Sequence, residues 1–514
     1  MDQPIAVRDL DTFTSWNSPW GDLTVAVLGL GATGFSAADT LAELKTDVLV
    51  VADEASDSRI EMAQVIGAKL ALGSTAEAQV SALMAHKPDV VIVSPGYRLD
   101  HPLLEWCRTA GVAMWTEIEL AWRLRDKTGT PAEWIAITGT NGKTTTAQLT
   151  AHILSTAGFR AGAVGNIGIP VLDAIRYPDG FDFLVVELSS FHLHGMPRHG
   201  AGAISPLASV CLNFADDHLD WHGSRDAYAQ AKATVYANTK IAAVYNRAVV
   251  ATQSMVEEAD VIEGCRAIGF GLDTPGPSDF GIVSDLLVER AFHDDRHNEA
   301  VELFTLEELR KRNLAAPYML ANILAASALT RAAGVSVDAL RAGVASFEVD
   351  AHRNQLVLHS GGVSWVNDSK ATNSHAASAS LSAVDPVVWI VGGLLKGVDV
   401  APLIQQHAKR LKAAIVIGTD RLAILSAFER HAPQIPVFEV DSTDTEHVMP
   451  RVVEMAHGIA TEGDTVLLAP AAASMDQFES YADRGEKFAT AVRKRVGGSG
   501  DDTTDAPTAT PTAQ

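Results

Sequence analysis

The segment Trp134-Ile-Ala-Ile-Thr-Gly-Thr-Asn-Gly-Lys-Thr-Thr-Thr-Ala147 constrains this chain more than any other. An apolar run ends in a glycine-rich turn, and Lys143 and Thr144 then open a stretch of helical composition, the layout of a phosphate-binding loop. The backbone N–H groups of such a turn, the exposed helix N-terminus and the lysine ammonium aim positive charge at one point, where a polyphosphate can sit. The string departs from the common G-x-x-x-x-G-K-[ST] spacing, because residue 137 is isoleucine and the first glycine is Gly139. An ordinary turn that happens to read Gly-Lys-Thr is the competing explanation.

A loop of this kind needs a sheet to stand on, and the flanking sequence alternates between strand and helix patterns. Residues 23–30 read as a strand that runs into Gly29-Leu-Gly-Ala-Thr-Gly34, a helix pattern covers 35–45, and a second strand at 47–52 ends at Asp53. This G-x-G-x-x-G with an acidic residue some twenty positions on matches the dinucleotide fingerprint. Its physical content is close approach of backbone to a diphosphate, which does not separate NAD from a UDP-sugar, and a tight turn without ligand remains the structural alternative. Val90-Val-Ile-Val-Ser-Pro-Gly96 adds another strand, with Gly96 at its C-terminal end, where open α/β sheets bind ligands. A first domain is expected to end near residue 111.

With 514 residues, the chain exceeds what one core organises, so roughly two to four domains are expected. A formal charge of -23 argues against general affinity for nucleic acid or anionic membranes, but not against small anions held by local donors. The three cysteines are far apart and lack C-x-x-C spacing, so neither a disulfide framework nor a zinc site is suggested, and a reducing cytoplasm fits. The N-terminal residues carry no signal-peptide layout, and no apolar run approaches a membrane span.

Beyond the phosphate loop the chemistry is densest. Asn166 lies in the turn-rich Gly165-Asn-Ile-Gly-Ile-Pro170, where its amide could bridge a phosphate and a metal or simply serve the turn. Residues 181–190 read as a buried parallel strand that ends in Glu187, the place for a magnesium-holding carboxylate, with Ser189 facing the phosphates. A further strand at 208–213 leads into Asp216-Asp-His-Leu-Asp-Trp-His222. There His218 is the best-placed imidazole for a metal, and a solvated acidic loop is an equal alternative. Lys232, on a helix pattern between alanines, reads by composition as a surface lysine. Asp279-Phe-Gly281 reads as an edge turn and 273–298 as an exposed hairpin insert. Residues 316–333 form a long apolar helix that contains Asn322.

A third domain is expected from 350. His352-Arg353 precedes a hairpin through Ser360-Gly-Gly362, followed by Asn367-Asp-Ser-Lys-Ala-Thr-Asn373 and renewed strand–helix alternation to residue 496. Lys396 and Ser474 fall just beyond strand ends, and 498–514 has the composition of a disordered tail.

In this order, Gly139-Thr-Asn-Gly-Lys-Thr144, Glu187-Leu-Ser-Ser-Phe191, Asp217-His-Leu-Asp220, His352-Arg353, the Asn367–Asn373 string and Ser474-Met-Asp-Gln-Phe478 resemble the motif series of the Mur ligases over nearly the whole chain. The Glu-Leu-Ser-Ser-Phe and Asp-Ser-Lys-Ala-Thr-Asn strings are similar to those of the members that add D-glutamate. The resemblance implies an α/β protein of three domains. These are a Rossmann-like UDP-binding domain (1–111), a central P-loop ATPase domain with a mostly parallel sheet (112–349) and a C-terminal Rossmann-like domain that binds the amino acid (350–497). It further implies a cytoplasmic, monomeric, ATP-dependent ligase of peptidoglycan precursor synthesis acting on UDP-MurNAc-L-alanine and D-glutamate.

Carried over residue by residue, the resemblance implies ATP contacts from Gly139, Asn141, Gly142, Lys143, Thr144, Thr145, Asn322, Arg353 and Asp368. It implies two Mg²⁺ sites held by Thr144, Glu187, His218 and Lys232, the last as a carbamate, with Lys143, Glu187, His218 and Lys232 as the catalytic set. The UDP substrate would meet Gly31, Ala32, Thr33, Gly34, Asp53, Gly96, Asn166 and Ser189, and D-glutamate would meet Thr372, Lys396, Ser474 and Tyr481. Tyr481 stands where the family often has Phe, His192 replaces a frequent Gln, and Asp53-Glu-Ala55 departs from a common Asp-Thr-Arg. A folate polyglutamating ligase would share the ATP loop without needing a UDP pocket. A nicotinamide oxidoreductase would leave the phosphate loop without a task.

Overall fold

The computed structural model describes residues 8–497 apart from 74, 313, 396–397, 420 and 441–444, so the expected site residue Lys396 and the 498–514 tail lie outside the described residues. The chain divides into two compact units, Met1–Phe347 and Glu348–Gln514.

The first unit contains two sheets. One has strands β1 (Thr24–Leu28), β2 (Asp47–Ala52), β3 (Lys69–Leu72), β4 (Val90–Val93) and β5 (Ala113–Thr116), all parallel in the order β3-β2-β1-β4-β5. Helices cross between them, so the central strands are buried and read as near-continuous Val, Ile, Leu and Ala. The order reverses between β1 and β4, and the loops after these two strands carry Gly31–Gly34 and Gly96 at the resulting crevice. Strand β5 pairs with β4 from Val90↔Ala113 to Val93↔Thr116, so this sheet runs past the expected boundary at residue 111. The reason is local: the turn at Gly111 caps a helix and leads into the last strand, so its break in pattern does not end the domain.

The second sheet has nine strands: β6 (Glu133–Thr138), β7 (Ala161–Gly165), β8 (Phe183–Glu187), β9 (Ala208–Cys211), β10 (Ala242–Asn246), β11 (Arg266–Phe270), β12 (Asp279–Val283), β13 (Leu286–Glu289) and β14 (Val301–Thr305). The order is β14-β13-β12-β11-β10-β9-β6-β8-β7, parallel from β7 to β12 and antiparallel beyond. Two sequence expectations are corrected here. Residues 273–298 do contain a hairpin, but it extends the sheet instead of standing off as an exposed insert, and Asp279-Phe-Gly281 is part of β12 and not an edge turn. Phe280 and Leu287 are fully buried, and the buried Glu289 is held at 3.0 Å by Arg331 from the helix Pro317–Ala332. The polar, proline-rich flank at 273–278 hid these apolar positions from a composition-based reading.

The second unit has β15 (Gln355–Ser360), β16 (Val363–Asn367), β17 (Val387–Gly392), β18 (Leu411–Ile417), β19 (Val437–Glu439) and β20 (Thr465–Leu468), in the order β15-β16-β20-β17-β18-β19. Only the β15–β16 hairpin is antiparallel, as the turn at Ser360-Gly-Gly362 requires. The last helix spans Tyr481–Arg495, and the Ser480 side chain accepts from the Asp483 N–H to cap it. Among the described residues, no helix is long and apolar enough to cross a membrane.

Candidate active site

In the central sheet β6 lies between β8 and β9, so the loops that leave these three strands emerge side by side. The loop after β6 is Gly139–Gly142, with φ of 151° and 82° at its two glycines, and it opens the helix Lys143–Thr156. Both glycines are required by position as well as by φ: a Cβ on Gly139 would lie 3.0 Å from Leu212 Cβ, and one on Gly142 would lie 2.5 Å from Asn322 Oδ1. Lys143 Nζ donates to the carbonyls of Gly139 (2.9 Å) and Thr140 (3.1 Å), which holds the ammonium over its own loop. Thr144 and Thr145 occupy the first turn of the helix, and the buried Asn322 reaches the loop from the helix Pro317–Ala332.

From β9, Asn213 grips the loop from the side. Its Oδ1 accepts from the Asn141 N–H at 2.9 Å, and its Nδ2 donates to the Asn141 carbonyl at 3.0 Å. The Thr140 hydroxyl lies 3.2 Å from that of Tyr228 and accepts from the Ala215 N–H at 3.1 Å. Sequence reading had given neither Asn213 nor Tyr228 a role, since both act through the fold. The only available signal for Asn213 was its place at a strand end. Asn213→Ala is expected to raise the KM for ATP about tenfold, the cost of two hydrogen bonds to a half-buried backbone, with kcat little changed; steady-state kinetics in ATP would check it.

From β8, Glu187 is almost fully buried. One carboxylate oxygen accepts from Asn166 Nδ2 at 2.9 Å, and the other is buried without a hydrogen-bond partner. A buried carboxylate oxygen left open in this way fits a hard cation, and Mg²⁺ needs only one or two protein carboxylates when phosphate oxygens complete its shell. The described His, Cys, Asp and Glu side chains form no group of three or more able to hold a metal by themselves. His218 adopts φ 52°, is exposed, and lies 3.6 Å from the Asp217 carboxylate with its ring 4.8 Å from Phe191. Ser189 serves a structural purpose: its hydroxyl accepts from the His192 N–H at 3.2 Å, while His192 Nδ1 accepts from the Ser189 N–H in return, a reciprocal helix cap.

Lys232 overturns the composition reading of a surface lysine. It is 2% exposed, on the inward face of the helix Arg225–Ala233, with Nζ 4.7 Å over the Tyr228 ring. Burial lowers its pKa to about 7, helped by the Lys143 charge and opposed by Cys211, Asp217 and Glu187. The reading failed because flanking alanines say nothing about which way a helix faces. Lys232 therefore feels the charges of Lys143, Glu187 and Asp217, although the four come from separate elements.

In the first sheet, Gly34 is fixed by close approach, since a Cβ there would collide with the Gly29 carbonyl. Asp53 accepts from the buried Gln79 Nε2 at 2.8 Å, and Gly96 has φ 105°. Gly31, with Ala32 and Thr33, opens the helix Ala32–Glu43, leaving its first N–H groups available to an anion.

In the second unit β16, β20 and β17 are neighbours, and their loops converge. Asp368 is buried, accepts from the Asn354 N–H (3.2 Å) and the Ser380 hydroxyl, and has its pKa raised to about 6 by burial, against the pull of those donors and of Arg353. The loop bearing Thr372 and the segment bearing Ser474 are joined through Arg484. Wholly buried, its guanidinium donates to Ser369 Oγ (2.9 Å), the Ser369 carbonyl (2.8 Å) and the Ala472 carbonyl (3.2 Å). Lys370 Nζ sits 3.7 Å over the Tyr481 ring. Arg484, too, was missed, its helical context giving no hint of burial.

Family models agree with this arrangement. A MurD-like Mur ligase N-terminal domain matches residues 23–116, a Mur ligase middle domain 137–330, and a Mur ligase glutamate ligase domain 352–472. The UDP-N-acetylmuramoylalanine–D-glutamate ligase of Leifsonia xyli is 58% identical over 499 residues, covering 96% of each chain, and that of Streptomyces coelicolor is 48% identical, covering 91% of this chain and 98% of its own. Among solved structures, UDP-N-acetylmuramate-alanine ligase MurC of Thermotoga maritima shares the fold with a TM-score of 0.55 at 16% identity, over 92% of this chain and 99% of its own. The chain belongs to the Mur ligase family, in its MurD-like branch.

Proposed function

We propose that this chain joins D-glutamate to UDP-N-acetylmuramoyl-L-alanine at the expense of ATP, in the cytoplasmic stage of peptidoglycan precursor synthesis. The observation that carries the reading is the end-to-end identity with ligases of that name, with 58% of positions shared by one of them over 96% of this chain. The substrate carboxylate attacks the γ-phosphorus of ATP, the bond to the ADP oxygen breaks, and an acyl phosphate forms. The D-glutamate amine then attacks the acyl carbon, loses its proton, and phosphate departs from a tetrahedral intermediate. A carboxylate is a poor acylating agent at neutral pH, so phosphorylation comes first and two anions must be brought together.

That requirement assigns the roles. Lys143, Thr144, Thr145 and the backbone of Gly139, Asn141 and Gly142 hold the triphosphate against its own repulsion, while Asn322, Arg353 and Asp368 hold the rest of the nucleotide. Glu187, His218, Thr144 and a carbamylated Lys232 would hold two magnesium ions, which when bound neutralise phosphate charge. Gly31 to Gly34, Asp53 and Gly96 seat the uridine diphosphate, with Asn166 and Ser189 nearer the reacting end. Thr372, Lys396, Ser474 and Tyr481 take D-glutamate.

A coupled assay of ADP release over a panel of amino acids tests the reading. Turnover is expected only when UDP-MurNAc-L-alanine and an amino acid are both supplied, with D-glutamate far ahead of L-glutamate, D-aspartate and D-alanine. ATP hydrolysis without an acceptor, or turnover with a folate acceptor, would overturn it.

A further inference from the structure

Loops of the two sheets in the first unit meet at Trp221, a residue with no role in the assignments above. Its indole Nε1–H donates to the backbone carbonyl of Tyr97 at 3.0 Å. Tyr97 follows Gly96 on the loop after β4, whereas Trp221 lies in the short helix Leu219–His222, which follows His218 on the connection after β9. The Tyr97 ring comes within 3.7 Å of the position a Cβ on Gly29 would take, and burial together with the nearby Asp53 charge pushes its phenol up to about 12. Tyr97 is thus a common neighbour of the loops after β1 and β2 as well as part of the loop after β4. On its other side, the indole packs edge-on against Phe191 at 4.8 Å and His194 at 5.2 Å, both on the helix Ser190–Gly195 that follows Glu187.

The indole is only partly buried, so packing alone does not dictate which way its N–H points; the bond to Tyr97 does. The two sheets are joined a second time along the helix Ala32–Glu43, where Arg176 bonds Asp39 at 2.6 Å and Glu43 at 3.3 Å, and Ser36 donates to Asp173 at 2.5 Å. That joint ties helix to helix. Trp221 ties one ligand loop to another.

We propose that Trp221 is a positioning residue that keeps the diphosphate loops of the first sheet in register with the carboxylate-activating loops of the central sheet, so that a substrate anchored in one presents its carboxylate to the other. The inference rests on the proposed function, because only a substrate that spans both sheets feels their register. A ligand confined to either sheet does not.

Trp221→Phe keeps an aromatic ring at the position and removes the donor. Its kcat/KM for UDP-MurNAc-L-alanine is expected to fall about tenfold, the usual scale for one lost hydrogen bond. The KM for ATP and the calorimetric affinity for UDP alone should stay within about twofold, a split that a general loosening of the fold would not produce. Trp221→His, which retains a ring N–H, is expected to recover part of the loss. Unchanged kcat/KM in Trp221→Phe overturns the inference. So does equal weakening toward UDP and the whole substrate, or a lowered melting temperature with all ligands weakened alike, or a histidine variant no better than phenylalanine. If the unaltered chain binds UDP yet fails to turn over the muramyl substrate, the proposed function falls and takes this inference with it.

Discussion

Lys143→Ala is expected to reduce kcat/KM for ATP by about a thousandfold or more. Removing one preorganised donor from a developing oxyanion costs about 10²–10³ in rate, and removing a full positive charge from a transferring phosphoryl group costs more. In this structure the ammonium is held over the phosphate loop by two carbonyls, so its charge is already placed before ATP arrives. The alanine variant should fold normally, since the loop stays clamped by Asn213 and the glycines keep their conformations. Lys143→Arg should recover little, because a planar guanidinium does not replace a compact ammonium in a glycine-walled loop. There is a linked consequence: Lys143 is the main charge that depresses Lys232, so its removal should raise the Lys232 pKa. Steady-state kinetics with circular dichroism as a folding control checks the first result, and undiminished joining of D-glutamate by Lys143→Ala would end the proposed mechanism.

Lys232→Ala should abolish measurable turnover, and short carboxylates such as formate or acetate should restore part of it. A fully buried lysine whose pKa lies at about 7 is a substantially neutral amine just above neutrality, and only the neutral amine can take up carbon dioxide. The carbamate that forms is an anion beside Lys143, which reverses the like-charge repulsion the free ammonium would suffer there. As pH falls through about 7 the amine protonates, carbamate cannot form, and activity drops; as pH rises above 7 the capacity to carbamylate saturates. Depletion of bicarbonate should mimic low pH in the wild-type chain and leave the acetate-rescued variant unaffected. A Lys232→Ala chain with normal turnover would remove this residue from the site, and a failure of every small carboxylate to rescue it would argue for a structural lysine.

The lesson in sequence reading comes from the residues that went wrong or unnoticed. Glu187, Lys143 and the glycines of the first loop were legible because each stands at the junction of a strand pattern and a turn pattern, and parallel sheets gather such junctions along one edge. Tyr228, Asn213 and Arg484 were not legible, and Lys232 was so only through the family resemblance and not from its own context, since each acts from a helix face or strand end whose orientation depends on what packs against it. Burial of Lys232 follows from the helix Arg225–Ala233 laying one face against neighbouring helices, Ser190–Gly195 among them, and a string of alanines with one lysine carries no phase from which to read that face. The 273–298 segment failed for a related reason: its apolar residues are few, and only pairing with β11 showed that they complete a sheet.

What the sequence determined by itself was the class of fold, the phosphate loop and the order of the motifs, because strand–turn–helix rhythm and glycine conformation are local properties. What the tertiary structure alone decided was which charges meet. The buried Glu187 oxygen without a partner, the low-pKa Lys232 under the influence of Lys143, and the Trp221–Tyr97 bond all arise from groups far apart in sequence. Their properties come from desolvation and distance, and these exist only once the sheets have formed.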